Sequence, residues 1–290
     1  MKKRNQKKDE CKPRRGDIII VYLNMNRLTG FLIMIIIAAA GCTRQPEPLS
    51  DGKVIVLMYH RITGGEATNL YERSAADFEA DLKYLRNNNI SVISFEDLEE
   101  MVASGVAPAN DCAIITFDDG DHSWYTTAMP LLIRYRMGAT FLLWVSMIDS
   151  NRDSFLSWKE VELMSNYADQ NGKRPFVFGS HTLYHSYLMS KKTVYSEPSA
   201  FALYLDEELG VSGRHIESHT PASVTVLSLP FGDGAGDADI IAAAKRNGYR
   251  FIRTSEQGVV GDTGTDLFRI PSLPMLDNTD PVTILTYLGR

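Results

Sequence analysis

Cysteine is scarce in this chain, and its positions exclude a fold held together by disulfide bonds. Of three cysteines in 290 residues, Cys11 lies in a basic leader, Cys42 follows an apolar run, and only Cys112 stands in the body. No disulfide can therefore form within the body. The composition, with 44% hydrophobic and 23% charged residues, is that of an ordinary globular protein, for which one large domain is expected.

Positive charge is also scarce beyond the start of the chain. Residues 1–41 hold nine Lys and Arg against three Asp and Glu, so the net charge of −6 for the whole chain leaves −12 for the remainder. A surface of that sign repels a phosphate backbone. We therefore expect no nucleic-acid partner.

A hydrophobic run long enough to cross a bilayer is missing too. The basic stretch Met1–Arg15 leads to an apolar patch, Ile18–Leu23, and then to Phe31–Ala40, which is too short to span a membrane. Basic, apolar and small residues in this order are typical of a secretory signal, and Ala39-Ala40-Gly41-Cys42 resembles the lipobox of bacterial lipoproteins. An uncleaved anchor helix is the alternative, and Met25 is an alternative start.

This leader predicts the organisation and the location of the chain. We expect a signal peptide over residues 1–41, a lipid on Cys42, a proline-containing tether over residues 42–52, and a folded domain over residues 53–290. The protein would be exported and anchored to a membrane through the lipid. It would face the periplasm or the cell exterior.

Strands and helices alternate along the body, which predicts an α/β fold. The expected strands are Val54–Met58, Ile90–Ile93, Ala113–Phe117, Ala139–Val145, Pro175–Phe178, Val224–Leu229 and Tyr249–Arg253. The expected helices follow the caps Ser74, Ser94 and Ser157, or lie at Ala128–Arg136, Ser199–Leu209, Ala238–Asn247 and from Pro281 onward. Such alternation favours a parallel sheet, as a barrel or a doubly wound sheet, with function at the carboxyl ends of its strands.

Two groups of candidate catalytic residues directly follow predicted strands. Asp118 and Asp119 end an apolar strand just before Gly120, where a bland Asp-Gly turn is the alternative. His181 and His185 are four residues apart, so one helical turn would place both on one face, where neutral imidazoles could share a metal. Two histidines and one carboxylate, which Asp119 could supply, leave open positions for water and substrate.

A third segment, Pro230-Phe231-Gly232, closes another strand. The sequence Thr116-Phe-Asp-Asp-Gly120, the pattern H-[ST]-x-x-H at His181–His185 and this P-[YF]-G turn, in this order, resemble the NodB-homology polysaccharide deacetylases of carbohydrate esterase family 4. The resemblance extends from about Val54 to the C-terminus. It implies a distorted (β/α) barrel in a single domain.

The resemblance also implies roles for individual residues. Asp118 would be the general base, while Asp119, His181 and His185 would hold one divalent metal ion, Zn²⁺ in the first place, with Co²⁺ or Ni²⁺ as alternatives. Pro230, Phe231 and Gly232 would form one wall of the substrate groove, and the backbone N–H of Phe231 would face the oxyanion.

Two features of the family pattern are missing. In many members an arginine stands two residues before the proline, and this arginine holds the catalytic aspartate. This chain has Ser228 at that position. Arg269 is the substitute we expect, and we also expect it to contact the substrate, with an ordinary surface ion pair as the alternative. No histidine follows His219, so the late histidine that acts as general acid in the family is also missing. His60, at the end of the first strand, is the expected replacement, with a purely structural histidine as the alternative.

These features lead to a prediction of function. We expect a metal-dependent hydrolase that removes N-acetyl groups from N-acetylglucosamine in an exported or envelope polysaccharide. The Tyr59-His60 pair and the P-[YF]-G turn without the arginine resemble the branch that acts on poly-β-1,6-N-acetylglucosamine. The alternatives are a peptidoglycan or chitin-oligosaccharide deacetylase, and a catalytically silent, sugar-binding lipoprotein of the same fold.

Overall fold

The computed structural model describes residues 52–261 and 265–290. These residues belong to one compact unit. The predicted signal peptide, the lipidation site Cys42 and all of the predicted tether except Gly52 lie outside the described residues.

The strands form one mainly parallel sheet and a small two-stranded one. In chain order they are β1 (Val54–Tyr59), β2 (Arg61–Thr63), β3 (Glu72–Ser74), β4 (Ser91–Val92), β5 (Cys112–Asp119), β6 (Ala139–Leu143), β7 (Phe176–Ser180), β8 (Val226–Ser228), β9 (Phe251–Arg253) and β10 (Leu273–Pro274). The large sheet has the order β10-β1-β5-β6-β7-β8-β9, β4 adds to β5, and β2 pairs with β3.

The segment of residues 267–270, which lies just before β10, connects the two edges of this sheet. The backbone N–H of Ile252 donates to the carbonyl of Leu267 at 2.9 Å, and the N–H groups of Ile270 and Thr254 donate to the carbonyls of Ile252 and Ile270 at 2.9 and 2.8 Å. Since this segment leads directly into β10, it bridges β9 to the other edge of the sheet. The predicted distorted (β/α) barrel is confirmed.

Helices lie outside the sheet and cover it. They are α1 (Ala75–Asn87), α2 (Phe95–Ser104), α3 (Met129–Tyr135), α4 (Val145–Asp149), α5 (Trp158–Asn166), α6 (Leu188–Val194), α7 (Pro198–Leu205), α8 (Ser212–Glu217), α9 (Ala238–Arg246) and α10 (Val282–Leu288). Two π-helical segments, Trp124–Ala128 and Asp206–Val211, precede α3 and α8. Among the described residues, no helix is long and apolar enough to cross a membrane.

The expected helix starts are where local hydrogen bonding places them. The hydroxyl of Ser74 accepts the N–H of Asp77, and Ser94 and Ser157 form capping boxes with Asp97 and Glu160. Several boundaries differ from expectation. The strand predicted to run to Val145 ends at Leu143, because Val145 already begins α4.

Side chains alternate between the two faces of the strands, and this alternation determines what enters the barrel. One buried cluster fills its interior; its members include Val54, Val56, Ile114, Leu142, Val226 and Phe251, with Phe95 and Leu98 of α2. The intervening residues, such as Ile55, Ile115 and Phe141, belong to a second cluster with the helices. A polar residue at an interior position near a carboxyl end therefore points into the mouth of the barrel.

Candidate active site

At the carboxyl ends of five strands, polar side chains at positions that face the barrel interior come together. Asp118 lies on β5, Ser228 on β8 and Arg253 on β9, while His60 and His181 directly follow β1 and β7. Asp118, His181, Ser228 and Arg253 are at most 3% exposed. Because parallel strands end on the same edge, residues from distant parts of the sequence meet here.

Asp118 and Arg253 form a buried ion pair. The Nη2 of Arg253 donates to both carboxylate oxygens of Asp118, and its Nη1 lies 2.7 Å from the sulfur of Met58. Burial opposes ionisation of Asp118, but the charge of Arg253, aided by His181 and His60, outweighs it and holds the pKa of Asp118 below its ordinary value. Asp118 is therefore ionised near neutral pH, which is the form that a general base needs.

The prediction that Arg269 holds Asp118 is wrong. Arg269 is about half exposed and forms a bidentate ion pair with Glu256, at 2.6 and 2.7 Å. The arginine expected at position 228 is instead found at position 253, and these two residues are direct register partners on β8 and β9. A contact between Arg269 and substrate stays a prediction.

Asp119 leaves the strand in a conformation that turns its side chain toward the histidines. Its φ angle is +87°, in the left-handed region that side-chain-bearing residues rarely adopt. Gly120 follows with φ of +101°, and a Cβ there would lie 2.6 Å from Cδ1 of Ile148. The Asp-Asp-Gly sequence thus allows one carboxylate to point into the barrel and the next to reach its rim.

His181 and His185 lie on a loop after β7, not on the helical turn that their spacing predicted. Thr182 and His185 both have positive φ angles, 64° and 55°, so the backbone cannot continue as a helix. The buried carboxylate of Glu208 accepts the N–H groups of Leu183 and Tyr184 at 3.1 and 2.9 Å. This carboxylate fixes the loop and, with it, the two imidazoles.

The side chains of Asp119, His181 and His185 converge on one point. The Nε2 atoms of the two histidines lie 3.0 Å apart. Oδ1 of Asp119 lies 3.5 Å from Nε2 of His181 and 3.4 Å from Nε2 of His185. Tetrahedral zinc, with bonds of about 2.0–2.1 Å, separates its ligand atoms by about 3.3 Å. The donor set, two imidazoles and one carboxylate, also suits such an ion, so these residues fit one divalent metal.

The protonation of these groups agrees with a metal site. Burial lowers the pKa of His181 to about 4, despite the opposing charges of Asp118 and Asp119, so its imidazole is neutral near pH 7. Burial opposes ionisation of Asp119 as well, but hydrogen bonding to His185 and the charges of His181 and His60 outweigh it and lower its pKa. A neutral imidazole and an ionised carboxylate are the forms that bind metal.

His60 lies in the same pocket, whereas the other unassigned histidines do not. A cavity of ~450 Å³ is lined by His60 together with Asp118, Asp119, His181 and His185. His60 packs against Tyr71, with ring centroids 5.0 Å apart, and its carbonyl accepts the indole N–H of Trp124. His122 pairs with Glu160, and His215 and His219 stack on Trp158, so each has other partners.

Phe231 forms part of the pocket wall, while its contact with substrate stays a prediction. Phe231 is 54% exposed, and its ring stacks on Tyr187 at 4.0 Å between centroids and meets the ring of His185 edge to face at 4.7 Å. Phe231 and Gly232 have φ angles of 60° and 68°, which places the aromatic ring at the cavity rim. Pro230 is buried beneath this turn. The wall offers an aromatic face on which a sugar ring can lie.

Comparison with known proteins identifies this arrangement. The model of the polysaccharide deacetylase family matches residues 105–252, half of the chain. The chain belongs to the polysaccharide deacetylase family. The matched segment contains the Asp118-Asp119 pair, both clustered histidines and the Pro230-Phe231-Gly232 turn.

Relatives and solved structures agree with this assignment. A Bacillus subtilis relative, YxkH, is 26% identical over 206 residues, which are 71% of this chain and 66% of that protein. The poly-beta-1,6-N-acetyl-D-glucosamine N-deacetylase of Staphylococcus epidermidis is 24% identical over 234 residues, which are 79% of this chain and 75% of that enzyme. The deacetylase PplD of Streptococcus pyogenes, solved in complex with acetate, shares the fold with a TM-score of 0.69 and 20% identity, over 81% of this chain and 98% of that one.

Sequence reasoning missed the roles of three residues that support this deacetylase site. Arg253 could have been found, because an arginine at an interior position of an apolar strand must have a buried partner. Glu208 and Ser228 gave no comparable indication. Their importance depends on which loop and which strand lie beside them, and spacing along the chain does not report that.

Proposed function

We propose that this polysaccharide deacetylase family member is a metal-dependent N-deacetylase acting on N-acetylglucosamine residues of an exported or envelope polysaccharide. The observation that carries the proposal is the adjacency of two carboxylates that have different partners. Asp118 is held ionised by Arg253, and Asp119 faces the two imidazoles of His181 and His185. One carboxylate is thereby free to move a proton while the other holds a cation.

The residues divide the chemistry among themselves. A divalent cation held by Asp119, His181 and His185 would lower the pKa of a water molecule and polarise the acetyl carbonyl. Asp118 accepts the proton of the attacking water at its carboxylate. The Pro230-Phe231-Gly232 wall orients the sugar, and the backbone N–H of Phe231 is our candidate donor to the developing oxyanion.

Departure of the amine requires a proton, and we propose that His60 supplies it. An unprotonated amide nitrogen is a very poor leaving group, so a general acid must lie near the cleaved bond. His60 lines the cavity that also contains Asp118, and Tyr71 packs against its ring. If His60 does not act, Asp118 must return the proton that it accepted.

For the substrate we propose poly-β-1,6-N-acetylglucosamine. The staphylococcal relative is named for this activity, and it aligns with 79% of the present chain. Peptidoglycan or chitin oligosaccharides are the alternatives with the same chemistry. The silent sugar-binding alternative rests on the missing arginine and the missing late histidine. The first of these grounds no longer holds, because Arg253 supplies the guanidinium.

Release of acetate from defined oligomers tests the proposal. N-acetylglucosamine oligomers of different linkage are incubated with the purified protein, with chelator, and with chelator followed by Zn²⁺, Co²⁺ or Ni²⁺. We expect release that chelator abolishes and metal restores. Asp118→Asn should keep the metal but lower the rate about 10²–10⁴-fold, as expected for a lost base. Release that is insensitive to both chelator and Asp118→Asn contradicts the mechanism.

We also propose that the protein is exported and held at a membrane by a lipid on Cys42. This proposal rests on the sequence of the leader, where small residues precede the cysteine. Cys42→Ser should move the protein from the membrane fraction to a soluble exported fraction, because the lipid supplies the attachment. If the variant still fractionates as an integral membrane protein, the uncleaved anchor helix is the correct interpretation.

A further inference from the structure

Ser228 lies between a candidate metal ligand and the candidate base. Its hydroxyl is 2.6 Å from Nδ1 of His181 and 3.4 Å from Oδ1 of Asp118, and its side chain is fully buried. Its backbone carbonyl is a second neighbour of the same Nδ1, at 3.1 Å. Ser228 therefore touches both halves of the site without facing the cavity itself.

The donor and acceptor types give these contacts a direction. A carbonyl oxygen only accepts, so its position beside Nδ1 requires the proton of a neutral His181 imidazole to be on Nδ1. An ionised Asp118 also only accepts, so the hydroxyl of Ser228 donates to it and accepts from Nδ1. The chain of hydrogen bonds runs from His181 through Ser228 to Asp118.

This direction leaves the lone pair of Nε2 free on the side where it is needed. Nε2 of His181 faces Nε2 of His185 and Oδ1 of Asp119, at 3.0 and 3.5 Å. The opposite tautomer would place a hydrogen at that point and prevent His181 from binding a metal. A hydrogen bond to the other ring nitrogen is the usual way in which proteins select the metal-binding tautomer.

We propose that Ser228 is a positioning residue that fixes the Nδ1–H tautomer of His181 and links that metal ligand to Asp118. It occupies the position where the resemblance predicted an arginine, and its register partner Arg253 provides the guanidinium instead. The side chain of an arginine at position 228 could not accept from Nδ1, since a guanidinium has no acceptor, and only the backbone carbonyl would remain. As a result, Arg253 holds the candidate base Asp118, and Ser228 holds the candidate metal ligand His181. The inference rests on the proposed metal site.

Two measurements that do not depend on turnover test it. In metal-free protein, ¹⁵N chemical shifts of His181 should show a protonated Nδ1 in wild type. In Ser228→Ala the closer acceptor, the hydroxyl at 2.6 Å, is lost and only the backbone carbonyl at 3.1 Å remains, so a measurable fraction of the Nε2–H tautomer should appear beside the Nδ1–H form. The dissociation constant for Zn²⁺, measured with a competing chelator, should rise about 10–100-fold in Ser228→Ala, the usual effect of losing such a partner. Circular dichroism verifies that the variant is folded.

Ser272→Ala is the matched control. Ser272 is also a fully buried serine, and its hydroxyl donates to the carbonyl of Thr254 at 2.6 Å, away from His181. It should leave both Zn²⁺ affinity and the His181 spectrum unchanged. Wild-type protein with an unprotonated Nδ1, or Ser228→Ala with wild-type Zn²⁺ affinity, overturns the proposal. Absence of acetate release from any oligomer would instead contradict the proposed function and leave these two readouts intact.

Discussion

Replacement of Arg253 by methionine separates the structural from the catalytic role of the buried ion pair. Arg253→Met keeps a long side chain but removes the charge that faces Asp118, and both residues are almost completely buried. Loss of one partner of a buried pair costs about 3–5 kcal/mol. Asp118 can reduce this cost by taking up a proton, since burial raises the pKa of a lone carboxyl by up to about 3–5 units.

The pH dependence gives the size and sign of the effect. In wild type the pKa of Asp118 is lowered, so its contribution to stability is complete above the ordinary value and is lost only as the pH falls through the lowered one. In Arg253→Met the pKa is raised, and stability falls as the pH rises toward it. While the pH lies between the ordinary and the raised pKa, each pH unit lowers the free energy of unfolding by about 1.36 kcal/mol. Between pH 5 and pH 7 the free energy of unfolding of the variant should therefore fall by about 2.7 kcal/mol more than that of wild type.

Urea unfolding at several pH values and the pH profile of kcat/KM measure the two consequences. Because burial without the guanidinium raises the pKa of Asp118, a smaller fraction of it is ionised at pH 7, and the optimum moves to alkaline pH. Asp118→Asn combined with Arg253→Met should recover most of the stability, because no lone charge remains. A single variant with wild-type stability and wild-type rate at pH 7 would refute the reasoning.

Two further predictions concern the acid and the core. His60→Ala should lower kcat about 10²-fold with unchanged metal content, whereas His122→Ala should have little effect; equal rates in both variants would remove His60 from the mechanism. In the wild type Arg73, which is 2% exposed, donates to both carboxylate oxygens of Asp81. Asp81→Asn leaves Arg73 without a counter-charge and should therefore destabilise the fold by about 3–5 kcal/mol in urea unfolding. A loss below about 1 kcal/mol would mean that Arg73 finds another partner.

The sequence predicted elements whose signals are local. The caps Ser94 and Ser157 each carry their acidic partner three residues later, so those helix starts could be read directly. The strands β2 and β3 were missed because each is three residues long and carries no extended alternation. The π-helical turn at Trp124–Ala128 was likewise invisible, since its extra residue per turn is a response to packing.

The candidate site was predictable in its members and not in its geometry. Asp118, Asp119, His181 and His185 stand in a recognisable order, and the structure brings them together. The helical turn at the histidines was wrong, because spacing alone cannot reveal the positive φ angles of the loop. The position of Arg253 on an apolar strand indicates a buried partner, but the identity of that partner depends on which strand lies next to β8, and that is a property of the whole sheet.

The attachment of the histidine loop to Glu208 has a consequence for how this site can change over time. Glu208 belongs to a π-helical segment more than twenty residues along the chain, outside the cavity, and the hydroxyl of Tyr204 donates to its second oxygen at 2.7 Å. Substitutions around Glu208 and Tyr204 can shift the loop by fractions of an ångström while every candidate metal ligand stays the same. The metal preference that we propose for this site can therefore change during evolution through residues that do not line the cavity.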